Sequence, residues 1–203
     1  MSLLGRGGVL IDIDGTVWAL EAALARHFGR PDLAAPMRQW GDLGQRCGGE
    51  ANLRAMMREI TTLEVMREHP PFEGVREAVQ ALVDDGVPCH FVTRRPAADA
   101  TALGPWLDHF EIPRTRLVAR ARINKAAYCV EHGLTAAVDD HPETIKQMLE
   151  FGVTPLTIAH PYNRAVCRRL NVICESTWAT LTPHVRAAVD RASAARPMMA
   201  RPQ

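Results

Sequence analysis

From residue 74 onward the chain alternates amphipathic helical segments with short apolar runs, and few architectures accept that rhythm. Helices are predicted over 74–86, 99–110, 125–133, 142–152, 164–170 and 178–193 from apolar positions recurring every three or four residues. Strands are predicted over 87–93, 115–119, 134–139 and 154–159, with 171–176 as an edge strand. Gly104-Pro105 is expected to interrupt the helix over 99–110. Strands separated by helices of roughly ten residues predict an α/β fold with a Rossmann-like parallel sheet and helices on both faces. In such a sheet, ligands bind beyond the carboxyl ends of the strands.

The run "VLIDIDGTVW" (9–18) supplies the first strand and poses a problem of charge. Val9, Leu10, Ile11 and Ile13 are short, branched and continuous, as a buried strand requires, and Gly15 marks the turn away. Asp12 and Asp14 lie two apart, so a strand would point both carboxylates to one side. Burying such a pair without a partner costs several kcal/mol at least, which calls for a cation, a proton or water. The other predicted strands end in Thr93-Arg94-Arg95 and Asp139-Asp140, and Lys125 opens a helix between them. Hydroxyl, ammonium and carboxylates at one rim, without a histidine cluster, suit a hard cation such as Mg²⁺.

Residues 18–70 contain no strand pattern. "ALEAALARHFG" (19–29) has helical spacing, the stretch to Gly49 is broken by prolines and glycines, and 50–69 reads as one helix or two closely joined ones ending at Pro70-Pro71. The expected organisation is therefore a core domain from 1–17 and 71–193, an all-helical cap over 18–70, and a disordered tail over 194–203.

Composition narrows the classes further. A net charge of +1 gives no bulk attraction to nucleic acid or a membrane surface. No apolar stretch is long enough to span a bilayer. The five cysteines are odd in number and scattered without a Cys-x-x-Cys pair, which argues for reduced thiols and a soluble, cytoplasmic protein. Lys125 and Lys146 are the only lysines among 24 basic residues. A lysine in so arginine-rich a chain suggests that a compact ammonium is wanted at 125, whereas Lys146, mid-helix and four residues before Glu150, reads as solvated.

These motifs resemble those of the haloacid dehalogenase-like (HAD) phosphatases: "DIDGT" (12–16), Thr93 after "CHFV", Lys125, and the acidic pair 139–140, in the family's order. Within the superfamily, "PFEGVREAVQALVDDG" leading to "VTRR", then "HPYNR" (160–164) and "STWATL" (176–181), look most like the 5'-nucleotidase branch that includes the 5'(3')-deoxyribonucleotidases.

The resemblance implies an aspartyl-phosphate mechanism. Asp12 is the expected nucleophile and Asp14 the acid and then the base; dehalogenases of the superfamily need no such second acid. Thr93 would bind a phosphoryl oxygen, and Lys125 would offset charge. Mg²⁺ would be held by Asp12, Asp14 (through its carbonyl) and Asp139, with Asp140 either a further ligand or a helix cap. Arg94 and Arg95 are candidates for substrate binding or simply exposed arginines. Trp18 and Trp40 could stack on a base but fit core packing better, and the sequence gives His141 no role.

The expected substrate is a small-molecule phosphomonoester, a nucleoside 5'-monophosphate in the first instance. The alternatives are another phosphorylated metabolite, such as a sugar phosphate or a phosphoglycolate-like acid, or a domain that binds a phosphorylated ligand without turnover. Neither nucleic acid nor a membrane is an expected partner, and a homodimer is compatible with the sequence.

Overall fold

The computed structural model describes residues 7–194. Six strands form one sheet: β1 (Gly8–Ile11), β2 (Cys89–Thr93), β3 (Arg116–Ala119), β4 (Leu134–Val138), β5 (Thr154–Ile158) and β6 (Ile173–Glu175). Their order is β3-β2-β1-β4-β5-β6 and every pairing is parallel. The helices of this layer are α5 (Val75–Asp84), α6 (Leu103–His109), α7 (Lys125–Glu131), α8 (Pro142–Glu150), α9 (Pro161–Leu170) and α10 (Trp178–Ala194). Between β1 and α5 come α1 (Leu20–His27), α2 (Asp42–Arg46), α3 (Glu50–Ile60) and α4 (Leu63–Arg67), with a 3₁₀ turn at Pro31–Ala34. No strand occurs among residues 20–67.

The period of two sorts the sheet's side chains into two layers. Val9 and Ile11 of β1 and Cys89 and Phe91 of β2 join a core with α5, α6 and α10. Leu10, Val92 and Ala137 face the other way, onto residues of α7 and α8. Both faces are covered, which is why β1 and β2 are apolar without alternation. The first core continues into the helical insertion through Leu24, Leu33, Leu43, Ile60 and Met66. Trp18 and Trp106 stand edge to face at 6.2 Å, and Trp106 Nε1 donates to the carbonyls of Met66 and His69.

Several boundaries differ from those read in the sequence. β1 ends at Ile11, so Ile13, though fully buried, lies in the following turn. Gly104-Pro105 does not break α6, because Pro105 sits in the first turn, where a missing N–H costs no helical bond. The α9 helix starts three residues earlier than expected, with Pro161 at its first position. Ala194, assigned to the tail, closes α10, and the rest of that segment, 195–203, lies outside the described residues. Among the described residues no helix is long and apolar enough to cross a membrane.

Candidate active site

The chain runs from β1 to β2 and β3 on one side and returns to β4, β5 and β6 on the other, so the winding reverses between β1 and β4. Ile11 is in register with Phe91 and with Val138. The residues just past those positions, Asp12 and Asp139, therefore emerge side by side at the carboxyl edge, where open α/β sheets bind ligands.

A tight turn shapes this edge. The N–H groups of Val17 and Trp18 both donate to the Ile13 carbonyl, and Gly15 N donates to the Trp18 carbonyl. Gly15 has φ +74°, and a Cβ there would lie 2.4 Å from Asp140 Oδ2. Both its backbone angle and this close approach require glycine. The turn is held from outside by Trp178 Nε1, which donates to the Thr16 carbonyl at 2.9 Å, and by His160 Nε2, 2.6 Å from the Gly15 carbonyl.

Asp12, Asp139 and Asp140 are all buried, and each offers an oxygen within 4.8 Å of the others. Lys125 Nζ, itself buried at the start of α7, lies 2.7 Å from Asp12 Oδ1 and 2.7 Å from Asp139 Oδ2. Burial alone would lower the Lys125 pKa, but the two carboxylates outweigh it and raise the value. Burial pushes Asp12 up to about 7; Lys125 opposes the shift, and Asp139 and Asp14 add to it. Asp140 is raised as well, chiefly by burial. Three carboxylates thus face one ammonium, a deficit of two positive charges in an all-oxygen donor set. That deficit and donor chemistry fit a divalent hard cation.

Asp14 stands apart from this cluster. Arg95 Nε donates to its Oδ2 at 2.9 Å and Arg95 Nη2 pairs with its Oδ1. Arg95 is buried rather than an exposed arginine, and its guanidinium lies 4.9 Å from the ring centre of Trp18. Its Nη1 is buried with no hydrogen-bond partner among the described residues. Asp14 and Arg95 line the same cavity as Asp12, Thr93, Arg94, Lys125 and Asp140, a space of about 350 Å³. Thr93 is buried at the end of β2, and its Oγ1 accepts from Arg95 N at 3.2 Å. The side-chain turn and the position on the cavity coexist.

The alternative role of Asp140 as a helix cap does not hold. The cap of α8 is His141, whose Nδ1 accepts from Glu143 N at 3.1 Å. Asp140 instead receives hydrogen bonds from Thr16 Oγ1 at 3.3 Å and from the Tyr162 hydroxyl. Asn163 Nδ2 lies within 3.3 Å of the Asp140 carbonyl and donates to the Ile158 carbonyl. The "HPYNR" segment therefore braces the acidic pair. Nothing in its spacing announces this, because the contacts depend on α9 folding back beside β4. Trp18 is fully buried as expected, but Trp40 is 51% exposed, with its ring 4.2 Å from His141 and 5.4 Å from Tyr162. Lys146 pairs with Glu143 on its own helix rather than with Glu150.

No protein-family model matches the chain, and no curated protein matches it. Solved structures do. A predicted phosphatase from Clostridium acetobutylicum aligns over 90% of this chain and 99% of its own, with TM-score 0.66 and 14% identity. A HAD family hydrolase from Deinococcus radiodurans, solved with phosphate and sodium bound, aligns over 93% and 96%, with TM-score 0.61 and 17% identity. The chain has the HAD hydrolase fold. CbbY from Rhodobacter sphaeroides, in complex with xylulose-(1,5)bisphosphate, shares that fold with TM-score 0.58 and 12% identity over 87% of this chain and 96% of its own. Since the alignments span nearly the whole chain, the helical insertion belongs to the shared architecture.

Proposed function

We propose that this protein is a Mg²⁺-dependent phosphomonoesterase acting through an aspartyl-phosphate. The observation that carries the reading is the buried Asp12–Lys125–Asp139 arrangement, with Asp140 beside it, at the floor of a cavity. Residues 18–70 act as the cap over that floor. Mg²⁺ would be held by Asp12, Asp139 and Asp140 with the Asp14 carbonyl, and when bound it would neutralise charge on the phosphoryl oxygens.

The remaining steps fall to the chain's own side chains. An Asp12 oxygen attacks phosphorus, forming an acyl phosphate as the bond to the leaving oxygen breaks. Asp14 gives a proton to that oxygen and later takes one from the water that attacks the same phosphorus, returning Asp12 and releasing phosphate. Both Asp14 oxygens are held by Arg95 at rest. Its acid role requires that pair to open, with Arg95 turning toward the phosphate. Thr93 Oγ1 donates to a phosphoryl oxygen, and Lys125 keeps Asp12 oriented and offsets its charge.

The substrate is a small phosphorylated metabolite. A cavity of about 350 Å³ is at the small end of ligand sites. The bisphosphate bound by CbbY supports the sugar phosphate or phosphorylated-acid alternative. The nucleoside 5'-monophosphate reading rests on the sequence resemblance and on Trp40, an exposed aromatic at the cavity wall able to stack on a base.

The test is phosphate release from nucleotides, sugar phosphates, phosphorylated acids and p-nitrophenyl phosphate, with Mg²⁺ and with a chelator. Metal-dependent release that Asp12→Asn lowers by about 10⁴-fold or more is expected. Full activity in that variant would remove Asp12 as nucleophile.

A further inference from the structure

The cavity wall contributed by the helical insertion carries charge that the chemistry above does not use. Arg54 and Arg58 both line the cavity and lie four residues apart on α3. Like charges at that spacing repel by a few tenths of a kcal/mol on an isolated helix. Neither guanidinium has an ion pair or a hydrogen bond among the described residues. Glu50, one turn before Arg54, also reaches the cavity without pairing to it. Of the other cations on the cavity, Lys125 is engaged by Asp12 and Asp139 and Arg95 by Asp14, while Arg94, beside the floor, has no ion pair among the described residues.

Glu21 is the second unexplained group. It sits in the first turn of α1, lines the same cavity and is partly buried, and the donor to its carboxylate is its own backbone N–H. Burial raises its pKa, helped by the charge of Asp14, while its own backbone, His160 and Arg46 oppose the shift. A partly buried carboxylate with one local donor keeps acceptor capacity that a ligand in the cavity can use.

We infer that the leaving group of the substrate carries a second anion, bound by Arg54 and Arg58, and a hydrogen-bond donor, bound by Glu21. This deepens the phosphomonoesterase reading and rests on it for the position of the phosphate. Phosphate would sit on the floor among Thr93, Lys125 and the Arg95 donor, with the second anion toward α3. Guanidinium groups hold carboxylates and phosphates through paired N–H donors, so both a phosphorylated hydroxy acid and a sugar bisphosphate meet the requirement. A nucleoside monophosphate does not, since its distal end is an uncharged base.

Binding and turnover are measured separately. Calorimetric titration of the Asp12→Asn protein with Mg²⁺ uses 3-phosphoglycerate, fructose 1,6-bisphosphate, 2-phosphoglycolate, glycerol 3-phosphate and AMP. In parallel, kcat/KM is measured on the natural sequence with the same compounds and p-nitrophenyl phosphate. At least one ligand with a second anion should bind about ten- to a hundredfold more tightly than glycerol 3-phosphate. Arg54→Ala/Arg58→Ala should erase that preference, and Arg54→Lys/Arg58→Lys should restore part of it. Comparing 3-phosphoglycerate with the bisphosphate tells carboxylate from phosphate. Comparing 3-phosphoglycerate with 2-phosphoglycolate, which lacks the hydroxyl, reads Glu21, and Glu21→Ala should narrow that gap. AMP binding best, or a preference unmoved by the double arginine variant, overturns the inference. Selective binding with no turnover of any compound upholds it and defeats the phosphatase reading, while turnover without anion preference does the reverse.

Discussion

The sheet layer and the helical insertion contribute opposite things to one cavity. On the sheet side, Asp12 and Asp139 are set by strand register, Lys125 is fixed between them, and Thr16, Tyr162 and Asn163 brace Asp140. Each of these groups has a partner that limits its motion, which is what positioning a reacting phosphorus demands. On the insertion side, α2 and α3 begin at Gly41 and Gly49 without side-chain caps, and α3 has a single fully buried residue, Ile60. Its Arg54 and Arg58 line the cavity with no ion pair among the described residues. On the proposed reading, chemistry is built where the chain is over-determined, and selectivity where it is not.

The largest expected effect comes from breaking the rigid side. Lys125→Met leaves Asp12 and Asp139 buried without their cation, and losing one partner of a buried pair costs about 3–5 kcal/mol. Chemical denaturation should show a drop of that size in stability, and phosphate release should vanish with it. A drop below about 1 kcal/mol would mean that the carboxylates do not depend on Lys125.

Next in size is the response to pH and metal. The Asp12 pKa is raised from 3.8 to about 7, so the folded state holds that proton more tightly than the unfolded chain. Its contribution is complete below about pH 4 and is lost as pH rises through about 7, and Asp140 shifts in the same direction. Metal competes with those protons and gains as they leave. Melting temperatures with Mg²⁺ and with chelator, compared at each pH so that titrations elsewhere cancel, should diverge steadily from pH 5.5 to 7.5. A constant gap would remove the charge deficit as the reason for metal binding.

The two regions also differed in how far the sequence disclosed them. Asp12, Thr93 and Asp139 were legible because each sits at the end of an apolar run, and a parallel sheet converts that one-dimensional fact into a shared edge; Lys125 stood out as a lysine opening a helix in an arginine-rich chain. The order of strands did not need to be known for the residues to be found. The Asp14–Arg95 pair was hidden, because it joins residues 81 positions apart through side-chain direction alone. Tyr162 and His141 were equally hidden, their roles depending on how helix starts meet the edge. Glu21, Arg54 and Arg58 carry ordinary helix-surface patterning, and only folding shows that they line a cavity, the two arginines as exposed side chains.

A smaller effect sharpens the rigid half. Gly15→Ala imposes a left-handed backbone on an alanine, at about 1–2 kcal/mol, and drives its methyl toward Asp140. Because Asp140 is held by Thr16 and Tyr162, the strain should pass to the acidic cluster. Mg²⁺ affinity in the variant should fall more than its melting temperature suggests. An equal loss in a variant far from the cluster would remove that link.

The smallest stability effect tests the insertion. Trp18, Trp106 and Trp178 are essentially inaccessible, so Trp40 is the residue that a soluble quencher reaches. Its ring rests on His141 and Tyr162, aromatic contacts worth about 1 kcal/mol at most for a side chain so exposed. Trp40→Ala should therefore shift the melting temperature by only a few degrees. If the insertion sets selectivity, the same substitution should raise KM severalfold for the preferred substrate while changing kcat less. Substrate analogues should also shield Trp40 from acrylamide quenching in the unaltered protein. A kcat that falls as far as kcat/KM would place Trp40 with the chemistry, and the division between a catalytic floor and a selective wall would fail at that residue.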